Sequence, residues 1–203
     1  MAVGSYNPDH VLSTKGLNTV LFTDPYAKLC YTSMLAARGN VIYVDLDTEF
    51  SAHFSAGLIK TEKIDVYLPS EGSFMLMFKE VLAAIPGRSL VIFDSINSFY
   101  TMYYSRYRND ERAGGSLNHL LSVLLMLLVR QGSSSGVPVV ATSMLRYRRQ
   151  GGWKQSPASR RLLQQKSATR VSVDLVSDQI VARVMAHESI PEGTALSYPR
   201  SLG

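Results

Sequence analysis

Cysteine is nearly absent: Cys30 is the single one in 203 residues. That excludes an intramolecular disulfide framework and any zinc site built on several cysteines, and it points to a reducing compartment. Histidine is sparse as well, with four residues. His10, His53, His119 and His187 are scattered, and no pair has the spacing of metal ligands, so no metal site is expected. Long apolar runs are missing too. The most apolar stretch, residues 117–129, is interrupted by Asn118, His119 and Ser122 and is shorter than the roughly 18–20 residues that cross a bilayer. It reads as a buried helix. The opening MAVGSYNPDH lacks the charged start and apolar run of a secretion signal. A cytoplasmic protein without membrane attachment is therefore expected.

One segment without acidic residues is also rich in basic ones. Residues 146–170 hold eight basic residues, six of them arginine, and no Asp or Glu. Taking these eight from a formal net charge of +5 leaves the rest of the chain at −3. The sequence is a mildly acidic domain carrying one concentrated basic segment, and such a segment suits a polyanion better than a small neutral substrate. With 46% hydrophobic and 18% charged residues, the rest has the composition of one globular domain with a substantial core.

The apolar runs alternate between strand and helix patterns. Residues 19–22 read as a strand, and Asp24 followed by Pro25 as the cap and first position of a helix that runs to about Arg38 and stops at Gly39. Residues 41–44 form a second strand, ending in DLDTE. A helix over 73–84 stops at Pro86-Gly87, and residues 90–93 form a strand ending at Asp94. A loop rich in Tyr and Arg leads to a long helix over 115–131, the connection GSSSG and a strand over 137–142. GSSSG matches the nucleophile pattern G-x-S-x-G only literally: it joins a helix to a strand, the reverse of a nucleophile elbow, and reads as a flexible link. Strands over 171–175, 179–185 and 194–198 close the chain, the first two joined by a turn at Ser177-Asp178. The expected fold is α/β, a mainly parallel sheet flanked by helices with an antiparallel hairpin at the C-terminal edge, in one domain over 1–203. Ligands of open α/β sheets bind beyond the carboxyl ends of strands. Residues 23–28, 45–49, 94–95 and 142–149 all fall there.

Four stretches in this order, VIYVDLDTEF (41–50), LVIFDSINSFY (90–100), VPVVATSMLR (137–146) and IVARVMAHESIPEGTALSY (180–198), resemble the ATPase core of the RecA/RadA recombinase family, especially archaeal RadA paralogues. The family's N-terminal helical domain has no counterpart. The departures concern the nucleotide. A phosphate loop needs glycines, whose backbone N–H groups turn toward the phosphates, and a Lys followed by Ser or Thr. The matching residues 23–30 read TDPYAKLC: there is no glycine, Lys28 precedes Leu29, and Asp24 brings a carboxylate to the helix start. By resemblance Asp94 matches the Mg²⁺-linked Walker B aspartate, Asp47 the catalytic glutamate, with Glu49 two residues on, and Met144 the glutamine that senses the γ-phosphate. Lys28, Asp47, Glu49 and Asp94 thus outline a degenerate nucleotide site. Asp94 could equally be a strand-end residue that bonds locally, and Asp47 and Glu49 solvated loop carboxylates. No bound ATP or Mg²⁺ and no ATP hydrolysis are expected of this chain alone.

The family's two DNA-contacting loops fall on YYSRYRNDER (103–112) and LRYRRQGGWKQSPASRRLLQQK (145–166), the latter expected to be mobile. Both interleave Arg with aromatic rings, which suits phosphate neutralisation and base stacking. The candidate DNA-binding residues are Arg106, Arg108, Arg112, Arg146, Tyr147, Arg148, Arg149, Trp153, Lys154, Arg160 and Arg161. For Tyr103, Tyr104 and Tyr107, packing under the loop and stacking on bases both stand open. The resemblance implies a non-catalytic paralogue, cytoplasmic and nucleoid-associated, that binds single-stranded DNA and assists or modulates RadA-type filaments in recombination and repair. Its partner would be RadA or another RecA-like paralogue. Two alternatives stay open: a pseudo-ATPase subunit pairing with a nucleotide-binding RecA-like or KaiC-like protein, and an ATPase with an unusual phosphate site around Lys28.

Overall fold

The computed structural model describes residues 8–61, 63–70, 72–107, 113–148, 152–154 and 167–201. After a short 3₁₀ turn at Pro8–Val11 come β1 (Leu17–Phe22), α1 (Pro25–Ala36), β2 (Val41–Asp45), α2 (Glu49–Ser55), β3 (Ile64–Tyr67), α3 (Phe74–Ala84), β4 (Leu90–Asp94) and α4 (Ile96–Tyr107). They are followed by α5 (Ala113–Ser135), β5 (Val139–Met144), β6 (Arg146–Arg148), β7 (Gly152–Lys154), β8 (Ser167–Val176), β9 (Gln179–Ala186) and β10 (Ala195–Pro199).

Every residue of β1, β2 and β4 is buried, the signature of parallel strands covered on both faces. The eight-stranded sheet runs β10-β9-β8-β1-β5-β4-β2-β3. From β8 to β3 all neighbours are parallel, and β9 and β10 are antiparallel. The expected fold class is borne out.

Strand alternation sends successive side chains to opposite faces. Val20, Phe22, Val41, Tyr43, Leu90 and Ile92 pack with Leu29, Tyr31 and Leu35 of α1 and Phe50 of α2. Leu21, Ile42, Val44, Val91 and Phe93 pack on the other face with α3, α4 and α5. The turn between β8 and β9 has positive φ at both Ser177 (46°) and Asp178 (67°), the geometry that matches the twist of a two-residue hairpin.

Several expectations need correction. Helix α2 and strand β3, seven and four residues long, are too short to show periodicity and were not expected. The segment read as a Tyr-rich and Arg-rich loop is helical through Tyr107. Phe99 and Tyr103, one turn apart, pack on each other and on Phe74 with centroids 5.0–6.1 Å apart, and that burial makes the segment a helix. The GSSSG link is not a loop either, because α5 continues to Ser135 and ends at Gly136 with φ +69°. Nor is residues 117–129 a helix buried all round. Leu117, Leu121, Leu124, Leu125 and Leu128 are buried, whereas Val123, Met126 and Leu127 are 40–44% exposed.

Gly132 explains why α5 can lie so close to β5. A Cβ there would stand 2.6 Å from the Val137 carbonyl oxygen and 2.7 Å from Val139 Cγ2. Gly132→Ala should therefore lose about 1–3 kcal/mol to overpacking instead of gaining the roughly 1 kcal/mol that Ala brings to a helix. Urea unfolding of the two proteins measures the sign.

Candidate functional site

The carboxyl ends of β1, β2, β4 and β5 converge at the start of α1. Pro25 at the first helical position and Asp24 as N-cap begin this helix, and the Asp24 carboxylate accepts from Ala27 N–H at 2.8 Å. One turn in, Lys28 points at the strand ends. Its side chain is 3% exposed, and its Nζ lies 2.7 Å from Asp47, 2.9 Å from Glu49 and 3.2 Å from Asp94. All four residues assigned by sequence to a degenerate nucleotide site are thus in one cluster.

Further groups complete it. Tyr43 OH donates to Asp94 Oδ2 at 2.6 Å and Thr142 Oγ1 donates to Asp94 Oδ1. The Tyr43 ring stacks on Phe50 of α2 at 3.9 Å. Asp45 accepts from Ser51 N–H at 2.8 Å through one oxygen. Its other oxygen is buried without a hydrogen-bond partner among the described residues. Sequence reasoning placed Asp45 and Thr142 in the strand-end segments 45–49 and 142–149 without singling them out, and it missed Tyr43. Strand alternation could have found them, since they share the α1-facing side with Val41, Ile92 and Val140.

Thr48, between Asp47 and Glu49, has φ +64°, a conformation that costs a β-branched residue on the order of 1–3 kcal/mol. It is held where both flanking carboxylates reach Lys28. The electrostatics of the cluster follow from its burial. Desolvation would lower the Lys28 pKa, but Asp94, Asp47 and Glu49 outweigh it and raise it above the ordinary value. Burial raises Asp94, against the attraction of Lys28. Burial also raises Asp45 from its ordinary 3.8 to about 6, and the nearby Asp94 and Asp47 add to the effect. The carboxylates of Asp45, Asp47 and Asp94 offer oxygens within 4.8 Å of one another, but the Lys28 ammonium already bonds two of the three.

On the opposite face of β5 the side chain of Asn97, in the first turn of α4, grips the backbone of Met144. It accepts from Met144 N–H at 2.7 Å and donates to the Met144 carbonyl at 3.3 Å. From there the basic segment leaves the sheet. Arg146 is exposed at the start of β6. Tyr147 and Arg148 lie in β6, and Trp153 and Lys154 in β7, its antiparallel partner. Arg106 lies in α4. Arg108, Arg112, Arg149, Arg160 and Arg161, and most of the loop over 145–166, lie outside the described residues. Of the two readings open for Tyr103, its burial against Phe74 and Phe99 favours packing.

No protein-family model and no curated protein matches the chain. Its fold does match a solved structure described as the crystal structure of the RadB recombinase. The TM-score is 0.68 over 98% of this chain and 94% of that one, at 14% sequence identity. The chain has a RecA-like fold. At that identity the likeness is one of fold alone. Among the described residues no helix is long and apolar enough to cross a membrane.

A RecA-like core implies a nucleoside triphosphate with Mg²⁺ at residues 23–30, and the residues present do not fit it. The stretch has no glycine, so the backbone approach a phosphate needs is not provided for. The Asp24 carboxylate occupies an N–H at the helix start, and the Lys28 ammonium is bonded to three carboxylates.

Two outcomes are expected. Lys28→Met leaves buried carboxylates without their cation and should cost about 3–5 kcal/mol in chemical denaturation at neutral pH. Asp45 binds its proton more tightly folded than unfolded, so its contribution to stability is full below about pH 4 and is lost as pH rises through about 6. That loss amounts to about 3 kcal/mol. Asp45→Asn should flatten the stability profile between pH 4 and pH 7 and be the more stable protein at pH 7.

Proposed function

We propose that this chain is a non-catalytic RadA paralogue that binds single-stranded DNA and assists or modulates RadA-type filaments in homologous recombination and DNA repair. The observation that carries the reading is the state of Lys28. The one lysine placed to meet a phosphate is bonded to Asp47, Glu49 and Asp94, so the core is held together without a nucleotide. The fold it shares with a recombinase and the concentration of eight basic residues over 146–170 support a nucleic-acid ligand. That segment leaves the carboxyl end of β5, beside the cluster. Arg and aromatic residues there would combine phosphate neutralisation with base stacking. The residues assigned to contact are Arg146, Tyr147, Arg148, Arg149, Trp153, Lys154, Arg160 and Arg161, with Arg106, Arg108 and Arg112 as a second set. ATP and Mg²⁺ play no part in this chain acting alone, and the site of action is the nucleoid.

A second reading has its own observation. Val123, Met126 and Leu127 form an exposed apolar stripe on α5, which suits a pseudo-ATPase subunit that pairs with a nucleotide-binding RecA-like or KaiC-like partner.

Fluorescence anisotropy with labelled single-stranded DNA separates these readings. Binding should be indifferent to Mg-ATP and weaken on the order of 100-fold between 50 and 200 mM salt. It should be lost when Arg146, Arg148, Arg149 and Trp153 are all changed to Ala. Equal binding by that variant and the wild type overturns the proposal. A change in a partner's ATPase rate without DNA binding by this chain supports the second reading.

A further inference from the structure

The end of β5 is held from every side. Thr142 bonds Asp94 in the ionic cluster. Its neighbour Ser143, fully buried, donates to Asn97 Oδ1 at 3.1 Å. Met144 exchanges both backbone groups with the Asn97 side chain. Leu145 N–H donates to the Phe22 carbonyl of β1 at 2.7 Å. Arg146 follows at once as the first residue of the β6–β7 pair.

Two features single out Asn97. Its amide satisfies a donor, an acceptor and a hydroxyl on β5, a match that an amide makes and a carboxylate or an alkyl group does not. It also stands in the first turn of α4, so the helix that leads toward Arg106 is bolted to the strand that leads toward Arg146. Ser98, next to it, reaches Asp47 at 3.5 Å and Ser95 at 3.0 Å, which ties the same turn to the Lys28 cluster.

We infer that Asn97 is a positioning residue for the basic segment: it fixes the point and direction at which the β6–β7 pair leaves the sheet, in place of a bound nucleotide. The inference rests on the proposed reading of that segment as the DNA-binding element. Asn97 itself contacts no DNA. It acts by sparing the segment the ordering cost it would otherwise meet on binding.

The test joins two measurements on the full chain. Hydrogen exchange is followed at the amides of β6 and β7, and at those of β1, β4 and β5 as internal controls. Affinity for labelled single-stranded DNA is measured as a function of salt. Asn97→Ala should speed exchange in β6 and β7 while the control strands keep their protection. It should weaken DNA binding about tenfold with the salt slope unchanged, because the same phosphates are neutralised. Asn97→Asp keeps the acceptor for Met144 N–H and Ser143 and should recover part of both losses. If the wild type binds DNA and Asn97→Ala binds equally well, the inference is overturned while the proposed function stands. If the wild type does not bind DNA, the proposed function fails. The exchange measurement then decides Asn97 alone, and unchanged protection of β6 and β7 overturns it. Should Asn97→Ala not fold, Ser143→Ala removes one of the three bonds and is read in the same way: faster exchange in β6 and β7 supports the inference and unchanged exchange overturns it.

Discussion

One ammonium group organises the carboxyl edge of this sheet. Lys28 reaches Asp94 at the end of β4, Asp47 in the loop after β2 and Glu49 at the start of α2. Through Asp94 it also meets Tyr43 of β2 and Thr142 of β5. Burying such charges is expensive, and their attraction offsets the cost only when the geometry is good and the remaining polar atoms are bonded. Most of these are. Asp94 is served by Lys28, Tyr43 and Thr142, whereas Asp45 keeps one oxygen without a partner among the described residues, and its burial raises its pKa to about 6. Three strands and two helix starts are thereby fixed relative to one another by directional bonds, over a core of apolar contacts that are not directional.

Most of this architecture was legible in the sequence because it rests on short-range patterns. Apolar runs such as Leu90–Asp94 and the Asp24-Pro25 start of α1 carry their own signals, and the β8–β9 hairpin shows its turn. What was not legible depends on distant residues. Helix α4 exists because Phe74, well away in the chain, receives Phe99 and Tyr103. Gly132 sits in a helix because β5 passes too close for a side chain. At the site, the sequence brought Lys28, Asp47, Glu49 and Asp94 to one edge through resemblance and strand order. It did not show that the lysine and the acids would bond to each other. That pairing follows from the missing glycines: with no loop to carry a phosphate, α1 starts directly on its Asp24 cap and delivers Lys28 to the carboxylates one turn later.

The division of charge along the chain now has a structural meaning. The acidic excess of the core is partly an internal matter, since Asp47, Glu49 and Asp94 surround a single cation. The positive excess begins at Arg146, just past the last residue that the cluster and Asn97 hold. Thr142 and Ser143 are consecutive, and strand alternation turns them to opposite faces. One therefore bonds Asp94 on the α1 side and the other Asn97 on the α4 side. A strand end gripped on both faces cannot shift without breaking a bond to a buried acid or to a buried hydroxyl, and an unpaired buried polar group costs about 1–3 kcal/mol. Its anchors are side chains of the same chain, so the point at which Arg146 leaves the sheet is set by bonds within the fold.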